Sequence, residues 1–212
     1  MNKDLLQLYG VTDSQWLKPG ETLADAVEAA IKGGVTLIQL REKHMEDDAF
    51  IREAVEVKKV TDAYGIPLII NDNLRVCQAC GAAGVHVGQE DMPVTEIRQI
   101  LGPDKIVGVT AKTVEQAKKA LAQGADYLGS GAMFGSATKS EAKPMTLEQF
   151  AEIRKAVDLP IVLIGGIDAG NIRELAGSGA QGAAVVSGIF AQEDIEAAAR
   201  VLKKLSLEVF PE

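Results

Sequence analysis

The sequence is poor in cysteine, contains no long hydrophobic run and has no excess of basic residues. Two cysteines among 212 residues are too few for a disulfide framework. No apolar run approaches the roughly 20 residues that cross a bilayer. The first residues, MNKD, lack the basic and then apolar pattern of an export signal. These absences predict a cytoplasmic protein without structural disulfides.

The charge balance also excludes classes of partner. Acidic residues outnumber basic ones by 30 to 22, which gives a formal net charge of -8. Binding to nucleic acid or to an anionic membrane requires broad positive potential, so we expect neither as a partner. The hydrophobic fraction of 47% is ordinary for a globular chain. Since no linker, charge run or change of composition divides the chain, we predict one domain over residues 1–212.

Short apolar runs alternate with longer segments of helical periodicity. The runs are almost continuously apolar, as expected for parallel strands covered on both faces. The segments between them are long enough for crossover helices. Eight βα units close most economically into a single-domain (β/α)8 barrel, the TIM barrel fold, with an open doubly wound sheet as the alternative. The predicted strands are 5–11, 35–40, 67–70, 84–87, 105–109, 126–128, 160–164 and 182–186.

Three predicted helices begin after a threonine. Thr22, Thr113 and Thr146 each precede a segment whose apolar residues share one helical face. Glycine then separates helix from strand, as at Gly33 and Gly124. The same helix, turn and strand therefore recur along the chain.

Polar residues follow the predicted strands, and in a closed barrel the carboxyl ends of the strands carry the chemistry. Arg41 and Lys43 follow the second strand. Their alternate spacing in an extended chain points both side chains to one side. A guanidinium and an ammonium together suit a phosphate or diphosphate, although a solvated loop would have the same composition.

Two aspartates follow neighbouring strands. Asp72 comes after the third strand and Asp91 after the fourth. Two carboxylates with water and phosphate oxygens are a usual environment for Mg²⁺. The alternative for Asp72 is to cap the next helix, since it lies in an Asn-Asp-Asn turn. A Mg²⁺-diphosphate site is therefore predicted beside a competing structural role.

The later strands predict a second place for phosphate. The loop after the sixth strand carries Ser136, Thr138 and Lys139, whose hydroxyls and ammonium suit a phosphate without the spacing of a P-loop. Gly165-Gly166 and Ser187-Gly188 follow the seventh and eighth strands, where barrels bind phosphate through backbone amides. Tight turns are the alternative reason for these glycines.

Three other residue types are given structural roles. Cys77 and Cys80 have C-x-x-C spacing, but neither histidine lies near them in sequence, so we predict packing and not a zinc site. His86 is predicted to point into the barrel mouth or to pack in the core, without a catalytic role. Trp16 is expected to pack.

With these residues in place, the chain resembles the thiamine-phosphate synthase family, also called thiamin phosphate pyrophosphorylase, over nearly its full length. The resemblance implies a (β/α)8 barrel that uses Mg²⁺. It implies a reaction of 4-amino-5-hydroxymethyl-2-methylpyrimidine diphosphate with hydroxyethylthiazole phosphate, which gives thiamine phosphate and diphosphate. The matching segments are YGVTD (9–13), QLREK (39–43), IND (70–72), GVHVGQED (84–91), TK (138–139), IGGI (164–167) and VVS (185–187).

The resemblance also implies a role for each matching residue. Asp72 and Asp91 would bind Mg²⁺, and the implied catalytic residues are Arg41, Lys43 and Lys139. The pyrimidine diphosphate would contact Gln39, Arg41, Lys43, Asn71, Thr110 and Lys139. The thiazole phosphate would contact Ser136, Thr138, Gly166, Val186 and Ser187. The mechanism of similar enzymes is dissociative, and a homodimer is left open as the assembly.

The chain departs from the family's usual residues at three places. Thr110 replaces a serine, Gly135-Ser136 replaces Pro-Thr, and Lys112 replaces a histidine that many relatives carry. None of these changes removes a charge that the mechanism requires. Gly135-Ser136 could loosen the loop after the sixth strand, which would cover the site as a lid, and so alter the affinity for the thiazole phosphate.

Three other functions are weighed against the synthase. A thiazole tautomerase of the same fold would need an acid/base group and no diphosphate-Mg²⁺ set. A Schiff-base aldolase would use Lys139 as its nucleophile. A barrel that only binds a phosphate ligand remains open until turnover is shown. The joint presence of Arg41, Lys43, Asp72, Asp91 and Lys139 favours the synthase.

Overall fold

The computed structural model of the chain describes residues 1–135 and 144–211. Eight parallel strands close into a barrel in sequence order, and β8 pairs with β1 to complete it. The predicted single-domain (β/α)8 barrel is confirmed, and the open sheet is wrong because no edge is left between the first and last strands. The strands are β1 (Leu8–Val11), β2 (Leu37–Leu40), β3 (Leu68–Asn71), β4 (Gly84–Val87), β5 (Ile106–Thr110), β6 (Tyr127–Gly131), β7 (Ile161–Ile164) and β8 (Gly182–Val185).

Helices surround the barrel and connect its strands. They are α1 (Leu23–Lys32), α2 (Asp47–Ala63), α3 (Leu74–Cys80), α4 (Val94–Leu101), α5 (Val114–Gln123), α6 (Leu147–Ala156), α7 (Ser187–Phe190) and α8 (Ile195–Val209). Short 3-10 helices form at Lys3–Leu6, Ser14–Trp16 and Ile172–Leu175. Across the described part of the chain, no helix is both long enough and apolar enough to span a membrane.

The predicted strand boundaries need two main corrections. The first strand was predicted from residue 5, but Lys3–Leu6 is a 3-10 turn that begins where the Asn2 side chain accepts the N–H of Asp4. Leu6 is buried in both interpretations, so its apolar character could not distinguish turn from strand. The sixth strand extends to Gly131, beyond the predicted end at residue 128.

The predicted threonine caps are confirmed. Each threonine side chain accepts the backbone N–H three residues later, from Asp25, Gln116 and Gln149 respectively. Among the apolar residues of the segments after Thr113 and Thr146, which the periodicity predicts on one helical face, Leu121 is 44% exposed and Leu147 is 38% exposed. Leu121 directly follows the buried Ala120, and one residue turns a helix by about 100°, which carries this side chain away from the barrel.

The barrel interior is apolar at its amino-terminal end and becomes polar toward its mouth. An inner cluster packs Tyr9, Leu37, Ile69, Tyr127 and Val162 inside the strands. Gly108 makes room for one of these rings, since a Cβ there would lie 2.1 Å from Cζ of Tyr127. The residues two places further along several strands are polar or small, so the mouth is lined by functional groups.

Candidate active site

One cavity at the carboxyl ends of the strands brings together most of the predicted binding residues. It is open to solvent at the mouth of the barrel, where sites of this fold occur. The predicted residues that line it are Gln39, Arg41, Asn71, Thr110, Gly166, Val186 and Ser187. Residues from β2, β3 and β5 therefore face the same space as residues after β7 and β8.

Arg41 is held between the first two strands. Its backbone N–H donates to the Thr12 hydroxyl at 3.0 Å, and the N–H of Thr12 donates to the Gln39 carbonyl at 2.9 Å. The guanidinium lies 3.6 Å from the Asp13 carboxylate, and only 14% of the Arg41 side chain is exposed. These contacts fix the direction in which the guanidinium enters the cavity.

Lys43 and Asp72 form an ion pair beside the cavity. The Lys43 ammonium donates to Oδ2 of Asp72 at 2.6 Å, and the Asn71 side-chain amide donates to the same oxygen at 2.6 Å. Asp72 has a φ of 61°, which is uncommon for a residue other than glycine. The alternative prediction, in which Asp72 caps the next helix, is wrong, because Asn73 caps α3 by accepting the N–H of Val76.

Asp91 lies at the rim and not in the wall of the cavity. It is exposed and lines a neighbouring depression with Gly88. Its Oδ2 accepts the Gly88 N–H at 2.7 Å. Asp91 and Asp72 both leave their Oδ1 atoms without a hydrogen bond from residues 1–135 or 144–211. Two hard carboxylate oxygens on neighbouring strands fit the donor set that Mg²⁺ takes together with water and phosphate.

The opposite side of the cavity is formed by the turns after β7 and β8. Gly166 has a φ of 64°, and a Cβ at this position would lie 2.7 Å from the Phe134 carbonyl oxygen. Its carbonyl accepts a hydrogen bond from the Asn171 amide at 2.8 Å. The Ser187 hydroxyl has no hydrogen-bond partner among the residues that the structure describes, so it can bind a ligand. The positive φ at position 166 and its close approach to the Phe134 carbonyl require glycine for the turn itself, and this requirement does not exclude phosphate binding.

The predicted residues Ser136, Thr138 and Lys139 lie outside the described residues. Their roles remain predictions of the sequence. Of the two predicted catalytic cations that the structure describes, Arg41 lines the main cavity, whereas Lys43 lines a neighbouring depression that Arg41 also borders.

A chain of buried hydrogen bonds forms the floor of the cavity, and the sequence analysis missed most of it. The Gln39 amide donates to the Tyr9 hydroxyl at 2.7 Å, and the hydroxyls of Tyr9 and Tyr127 are 2.7 Å apart. Nδ1 of His86 lies 3.0 Å from the Tyr127 hydroxyl, and its Nε2 lies 3.0 Å from the Thr110 hydroxyl. This series of hydrogen bonds runs from β2 through β1, β6 and β4 to β5.

The environment of the two tyrosines keeps them protonated. Burial raises the pKa of Tyr9 and of Tyr127 well above the ordinary value of 10.0. His86 points into the barrel mouth, which is one of its two predicted positions, and lines the cavity. A phenol inside an apolar strand needs a hydrogen-bond partner. The presence of Tyr9 and Tyr127 within predicted apolar strands was therefore the signal in the sequence that could have indicated these buried hydrogen bonds.

The remaining candidates contribute to packing. Cys77 is fully buried, and its thiol contacts the Gly84 carbonyl oxygen at 3.5 Å. Burial raises the pKa of Cys77 to about 11. Trp16 packs against the outer apolar core, as predicted. Within residues 1–135 and 144–211, no three histidine, cysteine or acidic side chains form a group that could hold a metal ion.

A closed (β/α)8 barrel with an arginine, amides and hydroxyls around one mouth defines an enzyme that handles a small polar substrate at its strand ends. Comparison with known proteins gives the particular family. The sequence pattern described as thiamine monophosphate synthase matches residues 8–189. The chain belongs to this family.

Individual relatives agree along almost the whole chain. The thiamine-phosphate synthase of Ruminiclostridium cellulolyticum is 49% identical over 96% of this chain and 94% of its own. That of Clostridium botulinum is 46% identical over 96% and 95%. The structure of the thiamine phosphate pyrophosphorylase from Pyrococcus furiosus is 32% identical, with a TM-score of 0.89 over 98% of both chains. The activity is that of a thiamine-phosphate synthase, a transferase that releases diphosphate.

Proposed function

We propose that the chain joins 4-amino-5-hydroxymethyl-2-methylpyrimidine diphosphate to hydroxyethylthiazole phosphate at the mouth of its barrel. The observation that carries this proposal is the shared cavity. Arg41 and Asn71 lie on its early-strand side, and Gly166 and Ser187 lie on its late-strand side. A diphosphate and a monophosphate can therefore bind in separate places while their organic parts meet between them.

The early-strand side binds the diphosphate. Arg41 and Lys43 donate to its oxygens, and Asn71 fixes the Asp72 carboxylate beside them. In the reaction the bond between the methylene carbon and the diphosphate oxygen breaks, and its electron pair leaves on that oxygen. Cations aimed at the departing group stabilise this charge without further reorganisation.

Asp72 and Asp91 would hold Mg²⁺, whose role when bound is to neutralise negative charge on the diphosphate. The support is their position after neighbouring strands and the Oδ1 atom of each carboxylate, which accepts no hydrogen bond from the described part of the chain. Lys139 would add a cation from the sixth loop. Thr110, fixed by His86 on the floor, would orient the same substrate.

Gln39 positions the pyrimidine. Its side-chain nitrogen donates to the Tyr9 hydroxyl, and its side-chain oxygen can then accept a hydrogen bond from the substrate. The exocyclic 4-amino group is the donor of the pyrimidine. Electron release from that amino group stabilises the methyl cation formed when diphosphate departs, and a fixed amide keeps the ring oriented toward the second substrate.

The late-strand side binds the thiazole phosphate. The Ser187 hydroxyl and the backbone of Gly166 and Val186 contact its oxygens, and the hydroxyls of Ser136 and Thr138 would add further donors. The thiazole nitrogen then donates its lone pair to the pyrimidine methyl carbon, which forms the new C–N bond. No nucleophile or strong base of the protein is consumed in either step.

The test is incubation of the purified protein with both phosphorylated substrates, with Mg²⁺ or with EDTA. We expect thiamine phosphate and diphosphate in equal amounts, and only with Mg²⁺. Isomerisation of a thiazole substrate alone would instead identify a tautomerase, and borohydride trapping with a carbonyl substrate would identify an aldolase. Saturable binding without any product would leave a phosphate-binding barrel.

Three further features remain predictions of the sequence. They are a single domain over residues 1–212, a homodimer and action in the cytoplasm. The homodimer is tested by light scattering of the purified protein over a range of concentrations.

A further inference from the structure

The two described cations assigned to the diphosphate are already neutralised by carboxylates. The Arg41 guanidinium lies 3.6 Å from Asp13, and the Lys43 ammonium lies 2.6 Å from Asp72. Each pair carries no net charge before the substrate arrives. A diphosphate is strongly anionic, so these pairs alone give the site less positive charge than the leaving group requires.

Lys112 supplies a different kind of cation. It lines the same cavity as Arg41, Asn71 and Thr110. It follows Thr110 by two residues, and Thr110 points its hydroxyl inward to His86, so the alternation of an extended chain places both side chains on one side. Among residues 1–135 and 144–211, no carboxylate forms an ion pair with the Lys112 ammonium.

The backbone that carries Lys112 is anchored. Its N–H donates to the Gln116 side chain at 2.7 Å, and the next residue, Thr113, caps α5. These contacts lower the entropy lost when the lysine binds a ligand, because only its side chain remains to be ordered. Lys112 thus combines an anchored backbone with an ammonium that forms no ion pair within residues 1–135 and 144–211.

The position of Lys112 places it on the diphosphate side of the mouth. Val87 of β4 pairs with Val109 of β5. Asp91 follows Val87 and Lys112 follows Val109, so both residues lie beyond the carboxyl ends of neighbouring strands. The Gln89 amide also donates to the Thr110 carbonyl at 2.6 Å, which joins the two loops.

We propose that the Lys112 ammonium binds the diphosphate of the pyrimidine substrate, as a cation additional to Arg41 and Lys43. It carries positive charge that no described carboxylate cancels, and it donates to the oxygens that become more negative as the carbon–oxygen bond breaks. This inference rests on the proposed function, because it requires a diphosphate at the early-strand side of the mouth.

The test measures binding of inorganic diphosphate by calorimetry in the presence of Mg²⁺. Lys112→Met should raise the Kd of diphosphate about tenfold, on the scale of one charge-assisted hydrogen bond. Lys112→Arg, which keeps the charge, should recover most of this loss. Lys118→Met is the matched control, since it removes an exposed lysine from α5 outside the cavity, and it should bind diphosphate as the wild type does.

Steady-state kinetics distinguish the two anion sites. For Lys112→Met, kcat/KM should fall when the pyrimidine diphosphate is varied, with little change in the KM of the thiazole phosphate. An unchanged diphosphate Kd would overturn the proposal, as would a defect confined to the thiazole phosphate. Thermal unfolding of each variant separates these results from misfolding. If the wild type formed no thiamine phosphate, the proposed function itself would be wrong, whatever the effect of Lys112→Met on the diphosphate Kd.

Discussion

Asp72 has an unusual backbone conformation at the point where it contacts Lys43 and Asn71. A positive φ is tolerated by asparagine and aspartate better than by other non-glycine residues. Asp72→Asn therefore keeps the backbone and removes only the charge. We expect the Mg²⁺-dependent rate to fall about a hundredfold, the scale of losing one electrostatic group in an active site, while the unfolding midpoint changes little.

The neighbouring Asn73 is the control for Asp72. It caps α3, so Asn73→Ala should lower the unfolding free energy by about 1 kcal/mol and reduce the rate far less. Initial rates over a Mg²⁺ titration and urea unfolding of both variants make the comparison. A full wild-type rate for Asp72→Asn at limiting Mg²⁺ would remove this residue from the metal site.

The buried phenols beneath the site predict how stability depends on pH. Burial raises the pKa of Tyr9 and Tyr127 above 10.0, whereas tyrosines in the unfolded chain ionise near that value. Their contribution to stability is therefore complete below about pH 10 and is lost as the pH rises further, because the unfolded state releases protons that the folded state retains.

Tyr127→Phe tests this dependence. At pH 7 the variant should be about 1–3 kcal/mol less stable, because Tyr9 and His86 lose a shared partner. Above pH 10 its stability should fall less steeply than that of the wild type, since one buried phenol is gone. Urea unfolding at several pH values measures both effects. Tyr64→Phe, at an exposed position, should leave the stability at pH 7 nearly unchanged, and equal slopes for wild type and Tyr127→Phe would contradict the argument.

At the scale of helices and strands, sequence periodicity predicted the elements better than their ends. The strand 84–87 was predicted with its observed bounds because Gly84 and Gly88 delimit an apolar run. The predicted start of β1 was wrong, since apolar residues such as Leu5 and Leu6 are compatible with a packed turn as well as with a strand. Thr22, Thr113 and Thr146 were predicted correctly as caps because capping is a local interaction.

The site divides in the same way. Arg41, Asn71 and Ser187 could be predicted to share a cavity because each follows a strand, and closure of the barrel brings strand ends together. The Tyr9–Tyr127 contact joins residues 118 apart in the chain, and it depends on the barrel's register and on the absence of a side chain at Gly108. No local pattern contains that information.

Helix α2 carries a carboxylate whose surroundings oppose its charge. Oε2 of Glu53 is buried without a hydrogen-bond partner in the described residues, as is Oε1 of Glu42. Burial and, to a smaller degree, the nearby Glu42 charge raise the pKa of Glu53. A raised carboxyl pKa means that stability is fully present below the unfolded value of 4.5 and declines as the pH rises through the folded value.

Glu53→Gln should therefore stabilise the protein at pH 7, by an amount on the order of 1 kcal/mol. The difference from wild type should vanish below pH 4.5, where Glu53 is protonated in both states. Glu56→Gln is the matched control on α2, because Glu56 is exposed and paired with Lys59. It should change stability by less than about 1 kcal/mol. Urea unfolding at pH 4 and pH 7 tests the pair, and a destabilised Glu53→Gln at pH 7 would show that the carboxylate has a favourable partner.

At the scale of the whole molecule, the two ends of the barrel perform different tasks. The cavity occupies the carboxyl ends of the strands, whereas the C-terminal helix α8 is attached near the start of β1. The Gln7 amide donates to the Ser206 carbonyl at 2.9 Å and to its hydroxyl at 3.0 Å. The Ser206 hydroxyl in turn donates to the Gln7 carbonyl. These buried bonds connect residues 199 apart and hold the last helix against the first strand.

Two serines at opposite ends of the barrel separate stability from binding. Ser206→Ala removes two buried hydrogen bonds of the Ser206 hydroxyl, the one it accepts from the Gln7 amide and the one it donates to the Gln7 carbonyl, so it should lower the unfolding free energy by about 1–3 kcal/mol with kcat and both KM values unchanged. Ser187→Ala removes a hydroxyl that no described residue uses, so it should raise the KM of the thiazole phosphate about tenfold with an unchanged unfolding midpoint. Urea unfolding and initial rates on both variants measure the four quantities. If Ser206→Ala impaired thiazole binding while remaining folded, the two ends of the barrel would be coupled, because a change at the base would then be transmitted through the strands to the mouth.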